Sequence, residues 1–168
     1  ALPAEIKTQV VVIGGGGSGL ASAIAAQQAG AKVIVLEKLG LLGGSTNVSE
    51  GALNAADPER QGKQGIEDSI QKHYDQTMKG GHDIGNPVLV HYLTDHALES
   101  VHWLESIGVQ FKPEVGTATG ALWQRSHYPA TPSGNTYIRS FEKYIAAHKN
   151  DIQVYTDMNA ESLIKDKA

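Results

Sequence analysis

Thr8–Leu20, which reads TQVVVIGGGGSGL, decides the fold. Thr8 to Ile13 is a β-branched run closed by a cluster of glycines, the pattern of a fully buried strand in a parallel sheet. Leu20 to Ala29 follows, rich in Ala, Gln and Leu, and Gly30 stands where a C-terminal capping glycine belongs. Lys32 to Leu36 repeats the buried-strand pattern and stops at Glu37-Lys38. Strand, glycine turn, helix and strand within about 30 residues make a βαβ unit. The sequence therefore predicts an α/β, Rossmann-like domain built on a parallel sheet.

Composition narrows the function classes. The chain has 168 residues, of which 40% are apolar, enough for one domain with a real core. Its formal net charge is -4 and it has no Lys/Arg run, so it lacks the electrostatic footprint of a nucleic-acid binder. The absence of cysteine removes disulfides, thiolate metal sites, cysteine nucleophiles and iron-sulfur ligation. Val10 to Ile13 and Val33 to Leu36, its longest apolar stretches, fall far short of the ~20 residues of a membrane helix. A soluble chain is expected, with its compartment left open.

Beyond the βαβ unit, Leu39 to Asn54 combines flexible backbone with small polar side chains and reads as a binding loop. Asp57 to Gly65 reads as a polar loop. Ile66 to Lys79 has helical spacing, with Asp68 or Ser69 near its start and Gly80-Gly81 at its end. From Pro87 to Ile107 the residues Leu89, Val90, Leu93, Ala97, Val101, Leu104 and Ile107 form the stripe of an amphipathic helix, with Trp103 and Leu104 expected in the core. Phe111 to Pro132 predicts irregular structure or a short hairpin. Tyr137 to Lys149 predicts a helix, and Ile152 to Tyr155 and Ala160 to Ile164 predict strands. The close at Lys165 to Ala168, with no return strand, suggests a chain cut within a larger domain.

The chemistry lies in the glycine turn. In Gly14-x-Gly16-x-x-Gly19, Gly14 permits a tight turn, Gly16 admits a pyrophosphate close to the backbone, and Gly19 lets helix and strand pack together. Amides at the helix start then face the anion with the helix dipole behind them. Glu37 follows Gly19 by 18 residues, at the end of the second strand, where a carboxylate can accept hydrogen bonds from ribose hydroxyls. These residues predict dinucleotide binding and leave FAD and NAD both open.

The second loop bears on that choice. Glu37-Lys38 followed by Gly43-Gly44-Ser45-Thr46, together with Gly51-Ala52-Leu53-Asn54-Ala55, Gln64 to Ser69, and Arg125-Ser126-His127 with Pro129, resembles the FAD-dependent fumarate reductase and succinate dehydrogenase flavoprotein family. The resemblance is closest to its soluble branch of flavocytochrome c-type fumarate reductases and urocanate reductases. It implies FAD as cofactor, with flavin contacts at Ser45, Thr46, Glu50 and Gly51, pyrophosphate contacts at Ser18 and Gly19, and an adenine contact from the backbone of Ala160. It also implies that residues 1–168 are the N-terminal part of an FAD-binding domain, completed by a capping domain and a C-terminal part elsewhere in the same polypeptide or in a complementing chain. The implied activity is hydride transfer from flavin N5 to the double bond of a small unsaturated carboxylate. The family's catalytic acid belongs to those other parts, so this chain is expected to carry no catalytic residue and to be inactive alone.

One departure stands out: Glu50-Gly51-Ala52 occupies a place where the family commonly has Ala-Gly-Gly or Gly-Gly-Gly. An anion there would oppose a reduced, anionic flavin, and an ionised Glu is seldom fully buried, so Glu50 is expected to point outward. Arg125 and His127 read either as lining a flavin or substrate cleft or as structural hydrogen-bonders of a loop. Glu67 and Asp68 read as starting a helix. His91, His96 and His102 are spaced by five and six, which does not put their ring nitrogens on one face, so no metal site is expected. Two rivals to a flavin reductase remain at this level: an NAD-binding dehydrogenase domain, which gives no reason for Gly43 to Asn47, and a non-catalytic flavin-binding module.

Overall fold

β1 (Val10–Ile13), α1 (Gly17–Gln28) and β2 (Val33–Leu36) open the chain as the βαβ unit that the sequence predicts. They are followed by α2 (Gly44–Asn47), β3 (Leu53–Asn54), α3 (Pro58–Lys63), α4 (Ile70–Gly80), α5 (Pro87–Ser106), β4 (Ser126–His127), α6 (Asn135–Ala147) and β5 (Ile152–Tyr155). This computed structural model describes residues 5–131 and 133–165. Pro132, the end of the predicted irregular segment, and the last three residues, on which the cut-chain expectation leans, lie outside them. The chain forms two compact units, one running through Ser49 and resuming at Tyr137, the other Glu50–Thr136.

In the first unit the sheet order is β1-β2-β5, all parallel, with Val12 opposite Val35 and Val35 opposite Val154. β2 is central and its Val33 and Val35 are fully enclosed. α1 packs on the three strands through Leu20, Ala23 and Ile24. At ~1.5–3 kcal/mol for each large side chain removed from water, these residues hold the helix to the sheet. α6 buries Tyr137, Ile138, Phe141 and Ile145, and the Tyr144 hydroxyl donates to Gln27 Oε1 of α1 at 2.9 Å.

β1 corrects the expectation of a fully buried strand. Val11 is 53% exposed and Ile13 58%, because β1 pairs only with β2 among the described residues and is the sheet edge there. A second correction concerns Ala160 to Ile164: these residues are exposed and join no strand among the described residues. Their apolar side chains promise a strand only where a partner edge lies alongside, and the sheet has closed its local ladder at β5.

In the second unit, Ala55, Ala97 and Val101 form a core with Leu53, Leu98 and Phe111 against it, and α4 packs on α5. β3 and β4 make a two-residue antiparallel pair, Leu53 opposite His127. The expected loop from Asp57 to Gly65 is instead built around α3: Asp57 caps it by accepting from the Glu59 and Arg60 amides at 3.0 Å, with Pro58 in the first turn. α4 starts at Ile70, later than the periodicity suggests, because Ser69 caps it by accepting from the Lys72 amide. Leu104 is core as expected, whereas Trp103 is only half-buried.

Candidate cofactor site

The first unit gathers the glycine turn, the acid of β2 and the second glycine pair. Gly14 has φ +104 and donates its amide to the Leu36 carbonyl at 2.8 Å, so the turn leaves β1 in a conformation that favours glycine. At Gly19 a Cβ would collide with the Gly14 carbonyl, the close helix-strand approach that the spacing predicts. The Gly43 amide donates to the Gly15 carbonyl at 2.8 Å, which joins the second loop to the first. Gly43 (φ +114) and Gly44 (φ +50) then turn into α2, where the Thr46 side chain fills the space a Cβ on Gly17 would take.

Glu37 is buried and accepts twice: Oε1 from the Leu39 amide at 2.8 Å and Oε2 from the Gly15 amide at 2.7 Å. The Leu39 and Gly15 amides hold its carboxyl below the usual carboxylate range, against the opposing effect of burial. Sequence reasoning placed Glu37 at a ribose but missed its bond to Gly15. No side-chain pattern encodes that bond, because its donor is main chain.

The start of α1 tests whether these residues fit a dinucleotide. Its first ladder bond runs from the Leu20 amide to the Gly16 carbonyl, so the amides of Gly17, Ser18 and Gly19 precede the ladder. Gly16 caps the helix without a side-chain bond, and its first turn holds no acid. Amides left uncapped at a dipole's positive end, approached by backbone without Cβ atoms, suit a pyrophosphate. Ser18 and Lys38 are exposed beside this turn, Ser45 is exposed and Thr46 half-buried on α2. Ala160 lies past β5 in exposed, irregular chain.

Chain comparison gives the lineage. A family model described as an FAD binding domain matches residues 9–168. The chain belongs to this FAD binding domain family. Its cofactor is FAD, which removes the NAD alternative. It is 40% identical over 125 residues to the fumarate reductase (cytochrome) of Shewanella frigidimarina, covering 74% of this chain and 22% of that protein. It is 35% identical over 158 residues to the urocanate reductase of Eggerthella lenta, covering 94% of this chain and 26% of that protein. The open conformation of a flavocytochrome c3 fumarate reductase superposes with a TM-score of 0.81 at 33% identity, over 89% of this chain and 26% of that one. The FAD binding domain described here thus spans about a quarter of the length of such relatives.

The second unit opens with Glu50 and Gly51. Glu50 is exposed, as its charge predicts. Gly51 has φ +86, and a Cβ on it would sit 2.7 Å from the Gly134 nitrogen, so backbone crowds this glycine. Arg125 and His127 are buried, and their hydrogen bonds go to groups of their own unit. Arg125 donates through Nε and Nη2 to Asp68 at 2.8 and 2.7 Å, and His127 Nε2 pairs with Asp57 Oδ2 at 3.0 Å. Asp68 is therefore an ion-pair partner, which corrects its reading as a helix starter. Burial pushes the Asp57 carboxyl up, but His127 and Arg60 outweigh it and leave it at about 2.

The histidines of α5 are engaged singly: His91 stacks on Tyr74, while His96 and His102 pair with Glu99 and Glu105. Among the described residues no helix is long and apolar enough to cross a membrane.

Proposed function

We propose that this chain is the N-terminal, FAD-holding part of a flavoprotein oxidoreductase that reduces the double bond of a small unsaturated carboxylate. The observation that carries the binding half is the uncapped start of α1 facing a glycine turn to which Glu37 is tied. In this reading Gly14, Gly16, Ser18 and Gly19 hold the pyrophosphate, Glu37 accepts from ribose hydroxyls through its remaining lone pairs, and Lys38 adds positive charge beside it. Gly43, Gly44, Ser45 and Thr46 run along the chain between ribose and flavin, Glu50 and Gly51 meet the ring, and the Ala160 backbone meets the adenine. The ionised state of Glu37, favoured by two amide donors, suits it to accept from hydroxyls and to repel a 2′-phosphate.

When bound, FAD supplies the hydride. The chain's own residues contribute binding and orientation: they fix the dinucleotide against backbone amides. The substrate class rests on the likeness to proteins named fumarate reductase and urocanate reductase. The clamp for the carboxylates and the proton donor belong, in this reading, to other parts of the enzyme.

The test uses the complete polypeptide that carries this chain. Its flavin is reduced with dithionite under anaerobic conditions, then mixed with fumarate, urocanate or acrylate. Reoxidation by at least one of these supports the reductase. Flavin that stays reduced with all three would overturn the activity and leave a non-catalytic flavin module.

A further inference from the structure

The His127 side chain is wholly enclosed in the second unit, and among the described residues every polar atom its ring meets is an acceptor. Nε2 lies 3.0 Å from Asp57 Oδ2, while Nδ1 lies 3.1 Å from the Arg125 carbonyl and 3.3 Å from the Leu53 carbonyl. Carbonyl oxygens and an ionised carboxylate can only accept, and a neutral imidazole has one nitrogen that also only accepts. Either neutral tautomer therefore turns a lone pair on another lone pair, at Asp57 or at the two carbonyls. Turning the ring over would place carbon at all three contacts.

A proton on Asp57 would satisfy one neutral tautomer, but Asp57 has no place for it. Its Oδ1 accepts from the Glu59 and Arg60 amides at 3.0 Å, and its Oδ2 accepts from Arg60 Nη1 at 3.0 Å. Donors on both oxygens keep this carboxylate ionised.

The surrounding charges agree. Asp57 of the α3 cap and Glu105 of α5 share the Arg60 guanidinium, so there one buried cation serves two acids. His102 reaches Glu105 only from the exposed side of α5. Next to His127 on the chain, Arg125 and Asp68 neutralise each other. From the remaining side the Phe111 ring meets the imidazole edge-on at 6.1 Å. A cationic His127 balances Asp57, and both of its N–H donors are taken, the condition under which a buried charge is held.

We propose that His127 is a buried imidazolium that pins β3 and β4 to the cap of α3, and that loss of its proton releases this seam. β3 and β4 pair over only two residues, with Leu53 opposite His127. So short a ladder holds little by itself, and the ring that joins the Leu53 carbonyl to Asp57 supplies the tie. The folded chain keeps a proton that the unfolded chain gives up as pH rises past about 6.5, the ordinary imidazole value. The tie is therefore complete in mild acid and is lost toward alkaline pH. It does not depend on what the flavin reduces.

The test is 15N NMR of the FAD-loaded complete protein labelled at histidine, at about pH 8, where an ordinary imidazole is neutral. His127 is assigned by the signals that His127→Gln removes, and flavin absorbance reports whether that variant is folded. Two protonated ring nitrogens on His127 are expected, and one bare nitrogen would overturn the proposal. Where His127→Gln fails to fold, Asp57→Asn assigns the signals instead by converting one doubly protonated histidine to a neutral one. A wild-type spectrum with no doubly protonated histidine overturns the proposal without any variant. Melting of wild type and His127→Gln between pH 6 and pH 10 reads the release, since the other groups titrate in both. The gap between their melting temperatures is expected to narrow as pH rises, and a constant or widening gap would contradict the release.

Discussion

Glu37 and Gly15 are joined by a hydrogen bond of 2.7 Å from the Gly15 amide to Glu37 Oε2. Through it the acid that ends β2 fastens the glycine turn that follows β1, while its other oxygen holds the Leu39 amide. One side chain thus shapes the cradle and presents charge to it, and changes at Glu37 should affect fold and cofactor together.

Glu37→Gln keeps the shape but leaves a single acceptor oxygen, so its amide N–H₂ meets either the Gly15 or the Leu39 amide head-on. A loss of about 1–3 kcal/mol in stability is expected, with FAD affinity at least tenfold weaker, read by melting and by flavin-fluorescence titration. The wild-type carboxyl sits below its ordinary value of 4.5 in the fold, so its stabilisation is complete above that pH and fades as pH falls through the lower folded value. Acid melts of the variant should lack that part of the decline.

Gly19→Ala and Gly62→Ala should move in opposite directions. A Cβ at Gly19 strikes the Gly14 carbonyl, which is backbone and cannot step aside, so a cost above the usual ~1–3 kcal/mol of overpacking and loss of FAD are expected. At Gly62, inside α3, a Cβ meets nothing within 4 Å, and alanine should stabilise by roughly 0.5–1 kcal/mol. Thermal denaturation of the pair, with flavin content, checks both.

Much of the first unit could be read in the sequence because its signals are local. The valine runs, the spacing Gly14, Gly16, Gly19 and the acid at Glu37 each act on neighbours fixed by the βαβ geometry. What escaped depends on distant partners. The Asp57-Pro58-Glu59 start of α3 carried capping signals that a polar composition masked, and the pairing of Asp68 with Arg125 spans chain that no period connects. The exposed face of β1 follows from which strands lie beside it, which a valine run cannot specify. His73 gave no signal at all, since its character comes from burial and from Arg125.

Asp57 ties three features together: the cap of α3, the Arg60 ion pair, and His127. Asp57→Ala should cost about 3–5 kcal/mol, as for other buried pairs left half-made. The folded carboxyl is at about 2 against an ordinary 3.8, so this stabilisation is present above pH 4 and lost as pH falls toward 2. Chemical denaturation at pH 7 and at pH 3 should show the difference between wild type and variant shrinking with acid.

His73 loses stability with acid in the same sense as Asp57, but at higher pH. Its folded value of about 4 lies below its ordinary 6.5, under burial and the Arg125 charge with Asp68 opposing, so the unfolded chain binds the extra proton between those pH values. Stability should fall as pH drops from 6.5 to 4, by up to about 1.4 kcal/mol per pH unit. His73→Leu should flatten that slope, and an unchanged slope would assign it to other groups.

The most direct measurement is the flavin content of the complete protein, purified and denatured, with the released ligand identified by mass and quantified against polypeptide. One FAD per chain in the wild type, and marked loss in both Gly19→Ala and Glu37→Gln, is the result the glycine turn and its acid require. A protein without flavin, or flavin held equally in all three, would contradict it.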